Sequence, residues 1–509
     1  MISFYLNDQP LHTAEPPASA LLDFVRYHEH LMGTKIGCRE GDCGACTVLV
    51  GEPAADGQRI AYQSMTSCLT PLGNVHGKHV VTVEGINRAG GQLTPVQQAI
   101  VDHHGAQCGF CTVGFVMSLT GHSLAEQPAT AQSTRAAIDG NICRCTGYKS
   151  LERAAATLAT ALAERPSTNS VQWLSEKQFV PAYFEEMPAR LAALRAELAA
   201  TEAAAGPSSN GHFANGSAVS TSPSGHFQSQ NGHDTTPFPH ATHPLLSGGT
   251  DLLVQRLDEL RQQPVRLLFD QSGRRGVRQA GSRVVLGAAT TASQLLESEV
   301  MRGLLPRLPD YLRLVSSTPI RNMGTVAGNF VNASPIGDLT ILFLALGADL
   351  TLVNAAGVSR TLPLAELYLG YKKLAKTADE QVVEISFPAP QASDLFNFEK
   401  VSKRTHLDIA SVNTAAWLRV ENGTIVAARL AAGGVGPVPL LLRRTSDYLL
   451  GRELSAETLA GANEAMQEEI SPIGDVRGTA AYKRLLLRQL LWAHFLRFAP
   501  GLEVASLKG

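Results

Sequence analysis

The chain has 509 residues, with 43 Lys and Arg against 45 Asp and Glu, a formal net charge of −2. That length is too great for one hydrophobic core, so several domains are expected. No basic run marks a nucleic-acid surface, and no window reaches the ~18 consecutive apolar residues of a membrane span. The first ten residues, MISFYLNDQP, lack a charged stretch followed by an apolar one, so no signal peptide is read and a cytoplasmic location is expected.

Residues 1–88 read as a ferredoxin-like β-grasp domain. Ile2, Phe4 and Leu6 alternate as a half-buried strand requires, and Asn7 and Asp8 turn the chain. Leu21, Leu22, Val25 and Leu31 place apolar groups on one helical face. The loop CREGDCGAC then supplies Cys38, Cys43 and Cys46, and Cys68 follows after twenty-one residues. Cys-x4-Cys-x2-Cys is the plant-type [2Fe–2S] spacing. Gly41 and Gly44 let the backbone turn tightly there, with N–H groups free to point at sulfur. A strand at Thr47–Val50 follows, and Val80, Val81 and Val83 mark a late strand before Gly85.

Residues 89–165 read as a helical domain. Thr94-Pro95 opens a helix in which Val96, Ile100 and Val101 face inward. Cys108 and Cys111 lie in the next turn, within QCGFC, and Cys143 and Cys145 lie in CRCTGY. Leu151, Ala154, Ala155, Leu158 and Leu162 form a helical stripe. The expectation is a four-helix bundle whose loops offer four thiolates to a second cluster. Zinc is the alternative for both sets, but Cys-x-Cys is an unusual zinc pair. Arg144, between two ligands, can offset cluster charge. A disulfide framework is disfavoured in a long chain without a secretory signal. The two sets use all eight cysteines, leaving no thiol for nucleophilic catalysis.

A linker at residues 165–170 leads to a domain spanning 171–390. An Ala/Leu-rich helix is expected at 187–204. Residues 205–240 are rich in Ser, Gly, Asn and His and repeat GHF, which marks a disordered insertion. His212, His226, His233, His240 and His243 offer metal ligands, though without regular spacing. LLSGGTDLL, at 245–253, runs an apolar strand into two glycines that permit close backbone approach to a phosphate. TPIRNMGTVAGNFVNASPIGDL, at 318–339, gathers glycines, asparagines and Asp338 in an apolar region. Two ordinary α/β loops are the other reading of these stretches. Residues 394–509 form a last domain, with a strand at Ala415-Ala416-Trp417-Leu418. Ser455 caps a helix bearing Leu459 and Met466, and a final helix carries Leu485, Leu486, Leu490 and Phe495. The fold class is therefore α+β multidomain.

CREGDCGACTV, QCGFCTVGF and NICRCTGY together resemble the iron–sulfur half of the molybdenum hydroxylases, which include xanthine dehydrogenases, aldehyde oxidases and carbon monoxide dehydrogenases. LLSGGTDLL with the GN…ASP…D stretch resembles the FAD domain of the same family. The resemblance implies FAD contacts at Leu245, Leu246, Ser247, Gly248, Gly249, Thr250, Asp251 and Leu252. It implies further contacts at Thr325, Gly328, Asn329, Asn332, Asp338, Val383 and Lys400, a solvated surface lysine being the alternative for Lys400. Tyr371 resembles a tyrosine on the nicotinamide side of the flavin. Gln107 matches a glutamine that touches the molybdenum-pterin at a subunit contact, with helix capping as the alternative. Val113 and Gly337 depart from the family's usual proline and serine, which puts one side-chain contact of the flavin in doubt at Gly337.

Two [2Fe–2S] clusters and a flavin make a one-electron wire ending in a two-electron converter. The family implies electrons entering from a molybdenum-pterin centre and leaving through FAD to NAD. The iron–sulfur and flavin parts, fused in this order without the molybdenum part, resemble the small subunit of the two-subunit xanthine dehydrogenases. That resemblance implies a large molybdenum-binding partner in an α2β2 heterotetramer. Another molybdenum hydroxylase, acting on aldehydes or aromatics, is the competing expectation. A non-enzymatic redox sensor is opposed by the flavin stretches.

Overall fold

The computed structural model describes residues 1–205, 243–271 and 273–502. The expected insertion at 205–240, with His212, His226, His233 and His240, lies outside the described residues apart from Ala205. The described residues divide into two compact units: 1–205, 243–271 and 317–324 in the first, and 273–316 and 325–502 in the second.

In the first unit, β1 (Ile2–Leu6), β2 (Gln9–Thr13), β3 (Thr47–Pro53), β4 (Ile60–Thr66) and β5 (His79–Val81) form one sheet in the order β2-β1-β5-β3-β4. The β1–β5 pair is parallel and the others are antiparallel. Ile2, Phe4 and Leu6 are buried against Leu21, Leu22, Val25, Val48 and Val80, as alternation in β1 predicts. Three details differ from expectation. Leu31 follows the helical turn, which runs from Leu21 through a wider π turn at Phe24–His28. The late strand stops at Val81, because Asn7 Oδ1 accepts the Thr82 N–H (2.9 Å) and Val83 starts a 3-10 turn. Val101 is 51 % exposed while Val96 and Ile100 are buried. Five residues at 100° each carry Val101 away from the Val96 face.

Four helices follow: α1 (Pro95–Asp102), α2 (Thr112–Leu124), α3 (Ala131–Ala136) and α4 (Lys149–Ala161). Thr94 caps α1 reciprocally with Gln97, which satisfies two otherwise orphaned N–H groups. Phe115, Met117 and Leu119 of α2 are buried with Leu151, Ala154 and Leu158 of α4. A long helix, α5 (Tyr183–Ala205), adds Phe184, Met187 and Leu191 to that core. The short parallel strands β6 (Leu245–Leu246) and β7 (Arg266–Leu267) flank α6 (Leu252–Arg261).

The second unit holds two sheets. One runs β11 (Ser359–Pro363), β10 (Asp349–Val353), β14 (Gln381–Pro388), β9 (Arg283–Gly287), β8 (Val277–Ala280). The other runs β15 (Leu395–Val401), β16 (Val412–Glu421), β17 (Thr424–Gly433), β18 (Leu440–Leu441), and a small hairpin joins β12 (Tyr368–Gly370) to β13 (Lys373–Leu374). A short helix α7 (Val326–Val331) precedes α8 (Asp338–Leu346), whose residues from Leu339 onward are all buried. An apolar helix of this kind needs core on every side. Arg429 closes its C-terminal end by donating to the Ala345 carbonyl (2.9 Å). Ser455 caps α9 (Ala456–Glu469), and α10 (Ala480–Phe498) ends the described fold.

Candidate iron–sulfur and flavin sites

The four upstream cysteines arrive as two pairs. The Cys38 N–H donates to Cys43 Sγ and the Cys43 N–H to Cys38 Sγ, both at 3.4 Å, and the Glu40 N–H is a second donor to Cys38 Sγ (3.3 Å). Gly41 and Gly44 have φ of +79° and +68°, which the tight loop requires. The side-chain hydrogen bond from Cys43 pulls the Cys38 thiol down to about 5, while the same contact, together with burial, pushes Cys43 up. Cys46 and Cys68, both buried, repeat the arrangement: their shared contact lowers Cys46 and raises Cys68. Each pair thus favours one thiolate, the form that ligates metal.

The downstream set also pairs. Cys108 and Cys145 are exposed, with Sγ atoms 3.6 Å apart. Burial, followed by the Cys143 thiol, pushes Cys111 up to about 12. Burial opposes ionisation of Cys143, but the Thr146 hydroxyl (3.1 Å) and N–H (3.5 Å) bring it below the usual thiol value. The Tyr148 hydroxyl accepts the Cys143 N–H (3.1 Å) and fixes that loop. Two thiol pairs in each set would suit a two-iron cluster. Gln107 is exposed and caps neither neighbour, since α1 closes at His103 and Cys111 is the N-cap of α2. Arg144 is exposed beside Cys143 and Cys145.

In the first unit, the glycine loop sits where nothing larger fits. A Cβ on Gly248 would lie 1.8 Å from the Met323 carbonyl oxygen. Gly249 has φ of +82°, and its Cβ would lie 2.6 Å from the Leu69 oxygen. The Ser247 carbonyl accepts from Asn74 Nδ2 (2.8 Å), while the Ser247 hydroxyl is buried without a hydrogen-bond partner. Asp251 stands at the N-cap of α6 and accepts from Gln255 (2.8 Å). Leu246 is buried, Leu245 and Leu252 half-buried, and Thr250 Oγ1 lies near Gly324. An unpartnered hydroxyl in a glycine cradle fits a ligand bearing hydrogen-bond acceptors or donors.

In the second unit, Thr325 caps α7 by accepting the Gly328 N–H (3.2 Å). Asn329 Oδ1 accepts from the Thr340 N–H (3.1 Å) and hydroxyl (3.0 Å), tying α7 to the first turn of α8. Asn332 ends α7 and accepts Lys372 Nζ through its carbonyl (2.5 Å) and Oδ1 (2.7 Å). Asp338 opens α8; its carboxylate accepts from Asn413 Nδ2 (2.5 Å) and Lys400 Nζ (2.7 Å). Lys400 also donates to the Leu314 carbonyl (2.7 Å), and its side chain is 1 % exposed, which overturns the surface-lysine alternative. Val383 is buried in β14. Tyr371 stands 65 % exposed at the β12–β13 turn.

Sequence reasoning missed Asp139 and Asn141. Asp139 accepts the Thr318 N–H (2.8 Å) and pairs with Arg321 (2.7 Å), both side chains being 5 % exposed. Asn141 lies two residues before Cys143 and is buried. Their only sequence signal is a polar DGN run one residue before CRC.

Four family descriptions match the chain in succession. They are the 2Fe-2S iron-sulfur cluster binding domain over residues 4–73, the [2Fe-2S] binding domain over 82–156, the FAD binding domain in molybdopterin dehydrogenase over 235–390, and the CO dehydrogenase flavoprotein C-terminal domain over 398–498. The xanthine dehydrogenase of Blastobotrys adeninivorans is 30 % identical, covering 100 % of this chain and 41 % of its own length. Aldehyde oxidase 4 of Cavia porcellus is 26 % identical, covering 98 % and 39 %. The chain therefore spans about two fifths of the length of these curated relatives. A carbon monoxide dehydrogenase structure from Hydrogenophaga pseudoflava is similar at 30 % identity and a TM-score of 0.46, over 50 % of this chain and 90 % of that one. Iron–sulfur and FAD-binding domains in one chain define an electron-transfer flavoprotein component. Together the four domains match the iron–sulfur and FAD component of a molybdenum hydroxylase family, with xanthine dehydrogenases among the relatives.

Proposed function

We propose that the chain is the electron-transfer component of a xanthine dehydrogenase whose molybdenum-pterin centre is carried by a separate large subunit. The observation that carries this reading is the pairing of all eight thiols into two sets, on the same chain as an FAD-binding domain. Two [2Fe–2S] clusters and FAD, when bound, supply one-electron transfer and its conversion to hydride transfer. Cys38, Cys43, Cys46 and Cys68 hold one cluster, and Cys108, Cys111, Cys143 and Cys145 the other. Loop N–H groups donating to Cys38 and Thr146 donating to Cys143 steady the ligand sulfurs and favour their thiolate form. The glycine loop 245–252 offers backbone N–H groups and the Ser247 hydroxyl to the flavin. The family resemblance also assigns Thr325, Gly328, Asn329, Asn332, Asp338, Val383 and Lys400 to flavin binding. NAD is the acceptor on the Tyr371 side, and Gln107 meets the pterin of the partner. The assembly is an α2β2 heterotetramer in the cytoplasm; no helix of the described residues is long and apolar enough to cross a membrane.

Aldehyde oxidase relatives at 26 % identity support a second reading, in which the partner's substrate is an aldehyde or aromatic compound. Purification of the chain from its native source, with identification of the large chain that accompanies it and a substrate survey, separates the two. Xanthine turnover coupled to NAD reduction is expected. Turnover of aldehydes alone would transfer the proposal to the second reading.

A further inference from the structure

Within the first unit, the glycine loop rests on the segment that follows Cys68. Leu69 and Pro71 wall Gly249, whose Cβ would lie 2.6 Å from the Leu69 oxygen and 2.8 Å from Pro71 Cδ. Asn74 lies in the 3-10 turn Leu72–Val75, and Leu72 and Val75 share a buried core with Leu246. Asn74 is 5 % exposed and donates through Nδ2 to the Ser247 carbonyl (2.8 Å), 173 residues away in sequence. Only the nitrogen end of an amide can donate to a carbonyl, so the orientation of Asn74 is fixed. Its Oδ1 is buried with no hydrogen-bond partner. An apolar side chain of the same size would avoid that cost, so packing alone does not account for the amide.

The Ser247 carbonyl and the Gly248 N–H belong to one planar trans peptide, so they point opposite ways. Holding the carbonyl on Asn74 therefore turns the Gly248 N–H away from Asn74. Gly248 and Gly249 are buried, and neither N–H has a hydrogen-bond partner among the described residues. Buried N–H groups are almost always paired, so these two are left for a ligand. We propose that Asn74 is a positioning residue for FAD. Although it belongs to the ferredoxin-like part, it aims the Gly248 N–H at an acceptor atom of the dinucleotide. The inference rests on the reading of residues 245–252 as part of the flavin site. Asn74 acts through the Ser247–Gly248 peptide plane and needs no contact with FAD itself.

The test uses the full chain with its iron kept and its flavin removed, titrated with FAD and followed by flavin fluorescence. Asn74→Leu keeps the volume and removes the donor; it should raise the FAD dissociation constant about tenfold at unchanged iron content. Asn74→Asp should weaken binding at least as much, because it turns an acceptor toward the Ser247 carbonyl. Hydrogen exchange gives a readout that a merely structural role would not move. In the wild type the Gly248 amide should exchange more slowly once FAD is bound, and in Asn74→Leu saturated with FAD it should lose that protection. A wild-type dissociation constant in both variants overturns the proposal. If the variants lose iron or precipitate, exchange in the wild type decides: protection of the Gly248 amide by FAD supports the proposal, and none overturns it. Absence of FAD binding by the wild type would mean that the flavin reading has failed, and the inference with it.

Discussion

Lys400 and Asp338 form a buried ion pair, Nζ to Oδ2 at 2.7 Å, across 62 residues of sequence. The pair ties β15 to the first residue of α8, and Asn413 of β16 adds a second donor to the same carboxylate. Removing one member leaves a buried charge with fewer partners, which costs on the order of 3 kcal/mol. Lys400→Met should therefore destabilise the flavin-binding part by about that amount in denaturant unfolding. Lys400→Met combined with Asp338→Asn should cost less than the two single changes added together. Strict additivity would show that the pair contributes nothing as a pair.

The glycine loop gives a sharper substitution. Gly248→Ala places a methyl group on the Met323 carbonyl, so the backbone there must shift. Loss of FAD is expected, read as flavin absorbance per chain, with iron content kept. Full flavin retention would remove residues 245–252 from the binding set.

Metal content separates iron from zinc. The chain should carry about four iron atoms and as many labile sulfides, two irons per thiol set. Cys43→Ser should abolish one reduced-cluster signal and Cys145→Ser the other. Stoichiometric zinc, or loss of both signals from a single change, would contradict the assignment.

His494 predicts an acid dependence in the C-terminal part. It is fully buried between Asn397 Nδ2 (2.9 Å) and the Thr414 hydroxyl (2.8 Å), and burial lowers its pKa to about 3. The unfolded chain binds a proton near pH 6.5 while the folded one does not. Stability from the neutral ring is thus complete above 6.5 and declines as pH falls toward 3, by at most ~1.4 kcal/mol per pH unit. His494→Gln should flatten that slope in unfolding measured between pH 6.5 and 4.5. An unchanged slope would exclude His494 as its source.

Much of this was legible in the sequence because the signals are local. The alternation of Ile2, Phe4 and Leu6, the cap at Thr94 and the cysteine spacings each depend on residues a few positions apart. Lys400 was ambiguous because its partner is Asp338, and no local pattern announces a pair separated by so much chain. Val101 went astray because two adjacent apolar residues cannot share one helical face. The hydrogen bond from Asn141 was invisible for the same reason as Lys400: its acceptor, Gly44, lies 97 residues upstream. The family resemblance supplied the role of Gln107, whose exposed position has no explanation in this chain's own contacts.

In the proposed function, the chain passes electrons between a molybdenum partner and NAD. Loaded with its cofactors and assayed alone, it should reduce artificial dyes with NADH and leave xanthine untouched. Adding the large subunit should restore electron transfer from xanthine to NAD, and Gln107→Ala should weaken that transfer while sparing the NADH–dye reaction. Xanthine oxidation by the lone chain, or failure to oxidise NADH, would contradict the account.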